Sequence, residues 1–114
     1  METERTHRYI GIARKAGKLL IGTPAVCDGL RRGDGDCVFA SCDISEGTKK
    51  RLSDKCSYYG ATLHILPTDG AALAHMIGKT GSVAAVMITD PGLASAARSA
   101  AAATVAEDAD TGIK

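Results

Sequence analysis

Apolar residues recur along this chain at two alternating periods, and that alternation outlines its elements. Between residues 4 and 16, Tyr9, Ile12, Ala13 and Ala16 fall on one helical face, and Gly17 is placed to end the helix. Lys18–Ile21 reads as a short strand. Pro24–Arg32 reads as a second helix, with Val26, Leu30 and Cys27 facing inward and Gly33 stopping it. Asp36–Ser41 is a candidate buried strand. Ser45 can cap a third helix through Tyr59, with Leu52, Cys56 and Tyr59 on its inner side and Gly60 closing it. Thr62–Leu66 is a strand ended by Pro67, and Thr68 or Asp69 starts a fourth helix through Ile77. Ser82–Ile88 is a continuous apolar run, the pattern of a strand covered on both faces. Asp90-Pro91 then opens a final helix through Ala103. Strands alternating with helices predict an α/β protein, a three-layer α/β/α sandwich with helices on both faces of one sheet. No internal repeat is visible.

Length changes this picture little: 114 residues suit one domain, assigned to 1–104, followed by an acidic tail at 105–114 expected to be flexible. No apolar run reaches the length of a membrane span, and the charged N-terminus carries no apolar signal segment. Cys27, Cys37, Cys42 and Cys56 form no C-x-x-C pair, and several lie in apolar runs. Buried free thiols in a reducing, cytoplasmic setting are expected. The net charge of +1 conceals an asymmetry. Residues 1–60 hold eleven Lys/Arg against eight Asp/Glu, whereas residues 61–114 hold three against five. A basic first half suits contact with phosphate through one edge.

The segment that gathers most of these signals is Arg14–Gly33. Thr23 is a good N-cap, because its hydroxyl can accept from a free amide, and Pro24 suits the first helical position, where a missing N–H costs nothing. Gly22 permits a sharp turn and close approach of a ligand. Lys15 and Lys18 precede a helix start whose amides point outward, a natural phosphate-binding edge.

With those elements placed, residues 8–99 resemble the L-seven-Ae / L-thirty-e family of ribosomal and kink-turn RNA-binding proteins, in particular its bacterial YlxQ-like branch. The resemblance is carried by Gly11-Ile12-Ala13-Arg14-Lys15-Ala16-Gly17-Lys18, by Gly22 and by Leu30-Arg31-Arg32-Gly33. Ala40-Ser41-Cys42-Asp43, Thr48-Lys49-Lys50-Arg51-Leu52 and Asp54-Lys55-Cys56-Ser57-Tyr58-Tyr59 extend it. Leu73, Gly78-Lys79, Ala84-Ala85-Val86-Met87-Ile88-Thr89-Asp90 and Gly92-Leu93-Ala94 close the set. It implies a mixed four-stranded sheet and a non-enzymatic RNA-binding protein of the ribosome or translation apparatus. The implied partners are RNA, ribosomal or kink-turn-containing, and ribosomal proteins, with no membrane, small-molecule substrate, cofactor or metal. The family's strongest kink-turn binders carry Gly-x-Asn-Glu-x-x-Lys at the second helix. Here Gly22 is kept, but Pro24, Ala25 and Asp28 stand at the Asn, Glu and Lys positions. Polar reading groups are lost while phosphate-contacting features remain, which implies RNA contact with weakened selectivity. The implied contact residues are Lys18, Gly22, Thr23 and Pro24 with the 78–84 loop, namely Lys79, Thr80, Gly81, Ser82 and Val83. Lys15 and Arg31 add charge around them.

Other chemistry is weaker. Gly78-Lys79-Thr80 imitates the end of a P-loop, but Leu73 stands where the first glycine belongs and a strand follows. His64 and His75 with the four cysteines match no zinc spacing, so core packing or exposure accounts for them. Lys49-Lys50-Arg51 is an RNA patch or, more commonly for three charges on a helix, a solvated face. Of Tyr58 and Tyr59, one should face the core, leaving one to stack a base. No catalytic set stands out. A rival class is a protein-interaction module on the same scaffold that has lost RNA binding, as Pro24, Ala25 and Asp28 would suit.

Overall fold

The computed structural model describes residues 2–100, with side-chain burial from residue 4 onward. The predicted tail at 105–114 and the predicted end of the final helix at Ala103 lie outside the described residues. The elements are α1 (Glu2–Lys15), β1 (Leu19–Ile21), α2 (Thr23–Arg32), β2 (Cys37–Ala40), α3 (Glu46–Tyr59), β3 (Thr62–Ile65), α4 (Gly70–Met76) and β4 (Ala85–Ile88). A fifth helix, α5, occupies 91–100. The strands form one mixed sheet in the order β1-β4-β2-β3. β4 is antiparallel to both β1 and β2, and β2 is parallel to β3.

Alternation along the two central strands divides the interior. Cys37 and Phe39 of β2, with Val86 and Ile88 of β4, join Ile10 and Ala13 of α1, Leu73 and Ala74 of α4, and Ala94 and Ala97 of α5. Val38, Ala40, Ala85 and Met87 point the other way, into Val26 and Leu30 of α2 and Leu52 and Cys56 of α3. Both central strands are therefore fully buried, as the unbroken apolar runs predict. The result is the expected three-layer α/β/α arrangement.

Local chemistry sets most element ends. Gly33 and Gly60 take left-handed backbone at φ 78 and 72, and their amides close the last turns of α2 and α3. Ser45 accepts from the Thr48 amide, Asp69 from Ala72 and Asp90 from Leu93, capping α3, α4 and α5.

Several expectations need correction. Thr23 is the first helical residue rather than the cap; Gly22 is the cap, at φ 97 and ψ 150, and no side chain caps α2. The Gly22 amide is drawn to the Ala85 carbonyl at 2.8 Å, which extends the β1 pairing by one residue and moves the helix start with it. Residues 82–84 are not strand. The Val83 amide donates to the Gly70 carbonyl instead of to a neighbouring strand, and pairing begins where Ala85 meets Ala40. Tyr59 does not face the core: it lies in the last turn of α3 beyond Leu52 and Cys56 and remains 37% exposed. Only two of the cysteines are buried; Cys42 is exposed in the loop after β2, and Cys27 is half-buried on the flank of α2.

Candidate nucleic-acid interface

The turn from β1 into α2 is set by one glycine. Backbone at φ 97 and ψ 150 is open essentially to glycine alone, so Gly22 can bend the edge strand directly into a helix. Its carbonyl accepts from Val26, and its amide is spent on the sheet. Pro24 removes one of the first-turn donors, and Pro24 is exposed. The mouth of α2 is thus uncapped by any side chain, with Thr23 and Ala25 half-buried beside it.

Inside the turn, α2 is seated closely. Gly29 is buried against the sheet, and a methyl group there would collide with Leu20 and Met87. The 78–84 loop reaches the same end of the sheet. It leaves α4 through Gly78 and turns again at Gly81, both left-handed at φ 77. Val83 then pairs with Gly70, and the Ala84 carbonyl accepts from the Ser41 amide, one residue from the Gly22–Ala85 hydrogen bond. A side chain on Gly70 would strike the Ser82 hydroxyl, so the loop is clasped at its base. Lys79, Thr80, Gly81 and Ser82 are exposed at its tip.

Gly22, Thr23 and Pro24 therefore share one end of the sheet with the base of the loop. Of the predicted cations, Lys79 belongs to this loop, but Lys15, Lys18 and Arg31 do not lie there. The Lys18 carbonyl accepts from Thr89, at the opposite end of β1 from Gly22. Four residues of extended chain separate the two by about 13 Å, so Lys18 is not beside the α2 mouth. Lys15 is exposed in the last turn of α1, close in sequence to Lys18. Arg31 lies eight residues along α2 from Thr23, about 12 Å, and meets the Asp28 carboxylate at 3.7 Å. Val83 is only 6% exposed and packs in the core, so its side chain cannot serve as a contact; its backbone shapes the loop.

Two anchoring residues escaped sequence reasoning. Arg14 Nε donates to the Ile77 carbonyl at 3.2 Å, tying α1 to the root of the 78–84 loop. Asp43 accepts from the Gly70 amide at 2.9 Å, tying the loop after β2 to the start of α4. That hydrogen bond is the main reason the Asp43 carboxyl sits below its usual range. Neither carries a local sequence signal, because both partners are distant in the chain.

The histidines serve the interior more than the rim. His64 stacks on Phe39 at 5.4 Å, and burial lowers its pKa. His7 contacts the Thr68 hydroxyl at 2.6 Å, and burial lowers its pKa too. His75 is exposed on α4. No group of three or more His, Cys, Asp or Glu positioned for a metal occurs among the described residues. Among those residues no helix is long and apolar enough to cross a membrane.

A short edge strand turned by glycine into an uncapped helix, beside a clasped loop, on a β1-β4-β2-β3 sheet, defines an α/β/α protein of the L-thirty-e-like type. The chain belongs to the ribosomal protein L7Ae/L30e/S12e/Gadd45 family, whose pattern it matches over residues 4–98. It is 36% identical over 80 residues to the RNA-binding protein YlxQ of Enterococcus faecium, covering 70% of this chain and 77% of that one. It is 33% identical over 85 residues to the protein of the same name from Bacillus subtilis (strain 168), covering 75% and 83%. A Bacillus halodurans C protein of unknown function superposes with a TM-score of 0.78 at 26% identity, over 84% of this chain and 95% of that one. The 15.5kD RNA binding protein of Giardia lamblia superposes at 0.76 with 12% identity, over 92% and 88%, a likeness of fold.

Proposed function

We propose that this chain is a non-enzymatic RNA-binding protein of the ribosome or translation apparatus that grips folded RNA along the β1 edge. The observation that carries the reading is the Gly22 turn, which leaves the mouth of α2 without a side-chain cap beside the clasped 78–84 loop. The names of the YlxQ relatives support RNA as the ligand. On this reading the edge works in two parts. Gly22, Thr23 and Pro24, with the 79–82 tip, supply amides and shape at one end. Lys15 and Lys18 supply charge at the other, about 13 Å away, so they meet different phosphates.

Base readout at the α2 mouth is poor. Pro24 and Ala25 offer no side-chain donor or acceptor, and Asp28 repels phosphate, although Arg31 partly offsets it. Recognition therefore rests on backbone and shape, which RNA folds commonly present. A kink-turn is the expected ligand type, bound with weakened selectivity. The test is a gel shift with a kink-turn RNA, a mutated kink-turn and a plain duplex at two salt concentrations. Lys18→Ala should weaken binding and reduce the salt slope by about 0.7–0.9. An unchanged slope removes Lys18 from the interface. Enrichment of a protein partner with no RNA bound in any lane would favour the interaction-module reading instead.

A further inference from the structure

The outward face of α3 is not used by the fold. This helix buries only Leu52 and Cys56. Its other side forms a shallow groove lined by Gly47, Lys50, Arg51, Asp54, Lys55 and Tyr58. These positions recur at three and four residues, so they make one continuous stripe about 17 Å long. The charge on it is positive. Lys50 is engaged by Asp54 at 3.0 Å, while Lys49, Arg51 and Lys55 are exposed and form no ion pair among the described residues.

The stripe ends in an aromatic platform. Tyr58 is 81% exposed, the most exposed large apolar side chain among the described residues. Tyr59 stands edge-on to it, with ring centroids 4.8 Å apart at 87°. An edge-on neighbour restrains the Tyr58 ring and can cover at most one of its faces, which leaves a face of this exposed ring open. A groove of cations leading to an open aromatic ring is the chemistry that holds single-stranded nucleic acid. Cations follow the backbone and the ring stacks a base.

The stripe also begins at the end of the sheet that carries the α2 mouth. Ser41, whose amide pairs with Ala84 beside the α2 mouth, leads directly to Ser45 and the start of α3. An RNA strand that left the mouth toward α3 would reach the groove at Gly47, a position without a side chain, and follow it toward Tyr58.

We propose that the Lys50–Arg51–Lys55–Tyr58 face of α3 binds a single-stranded extension of the RNA held at the β1 edge. The proposal rests on the RNA-binding reading and adds a second surface to it. The test compares one kink-turn RNA, blunt or carrying a short oligouridine tail, together with free oligouridine, by fluorescence anisotropy. The tail should strengthen wild-type binding. Tyr58→Ala should weaken tailed-RNA binding by about fivefold or more and leave the blunt RNA unaffected, while Tyr58→Phe retains the gain. Arg51→Gln with Lys55→Gln should lower the salt slope on the tailed RNA by about 0.7 for each phosphate released. A tail that adds nothing, or a gain that survives Tyr58→Ala, overturns the proposal while blunt-RNA binding still upholds the β1-edge reading. Tyr58-dependent oligouridine binding with no blunt-RNA binding does the reverse. An acidic peptide captured by this face with no gain from the tail overturns it in favour of a protein ligand.

Discussion

Helices α2 and α3 lie side by side on one face of the sheet and differ in how much they bury and in how they begin. α2 is held by what it packs against. Val26, Gly29 and Leu30 are buried, and Gly29 lets the helix settle onto Leu20 and Met87. Its start has no side-chain cap. α3 buries less and is closed at both ends. Ser45 caps one, Gly60 closes the other, and only Leu52 and Cys56 are buried between them. A helix with a well-packed side can leave its first turn open to a ligand, and a helix with few buried side chains and both ends closed can leave a whole side open. Both proposed RNA surfaces follow from that division.

The contrast predicts a graded series. Leu52→Ala should have the largest effect, about 2–5 kcal/mol of lost stability in denaturant titration, because α3 has almost nothing else in the core. Gly29→Ala comes next. Alanine favours the helix by about 1 kcal/mol, but overpacking costs about 1–3, so net destabilisation up to about 2 kcal/mol is expected. A stabilised Gly29→Ala protein would show that the α2 seat is looser than described. Ser45→Ala should cost about 1 kcal/mol, whereas Thr23→Ala should be nearly neutral in the same titration, since only the former removes a cap. Equal losses at the two positions would contradict the Gly22 turn.

Alkaline pH perturbs the buried thiols on both sides of the sheet. Burial pushes the Cys37 and Cys56 thiols up to about 11 from 9.0. Above pH 9 the unfolded chain releases these protons and the folded one keeps them. The unfolded state then binds fewer protons, and stability falls as pH rises from about 9 to about 11. Thermal melts across that range check the sign. At neutral pH a thiol reagent should modify exposed Cys42 first, half-buried Cys27 more slowly, and Cys37 and Cys56 only on unfolding.

The elements themselves were largely legible in the chain. Gly33, Gly60, Ser45, Asp69 and Asp90 act on backbone within a few residues of themselves, so their effect needs no tertiary knowledge. The unbroken apolar runs of β2 and β4 announce strands covered on both faces. Errors arose where a distant partner competed. Thr23 lost the cap because Ala85 captured Gly22. Residues 82–84 left the strand because Gly70 holds Val83. Tyr59 turned out to be exposed because α3 ends just beyond its last buried side chain.

The candidate site shows the same boundary more sharply. From the residues alone came the family, the alternation of helices and strands, and the glycine-led entry into α2, because each depends on neighbours in the chain or on a pattern running along it. Which residues meet was decided by the folded sheet. A strand between them carries Lys18 away from Gly22, a helix carries Arg31 away from Thr23, and hydrogen bonds from the Ser41 amide to Ala84 and from the Val83 amide to Gly70 bring the 78–84 loop to the α2 mouth. Extended and helical backbone have fixed rises per residue, so closeness in sequence becomes separation in space wherever a regular element intervenes.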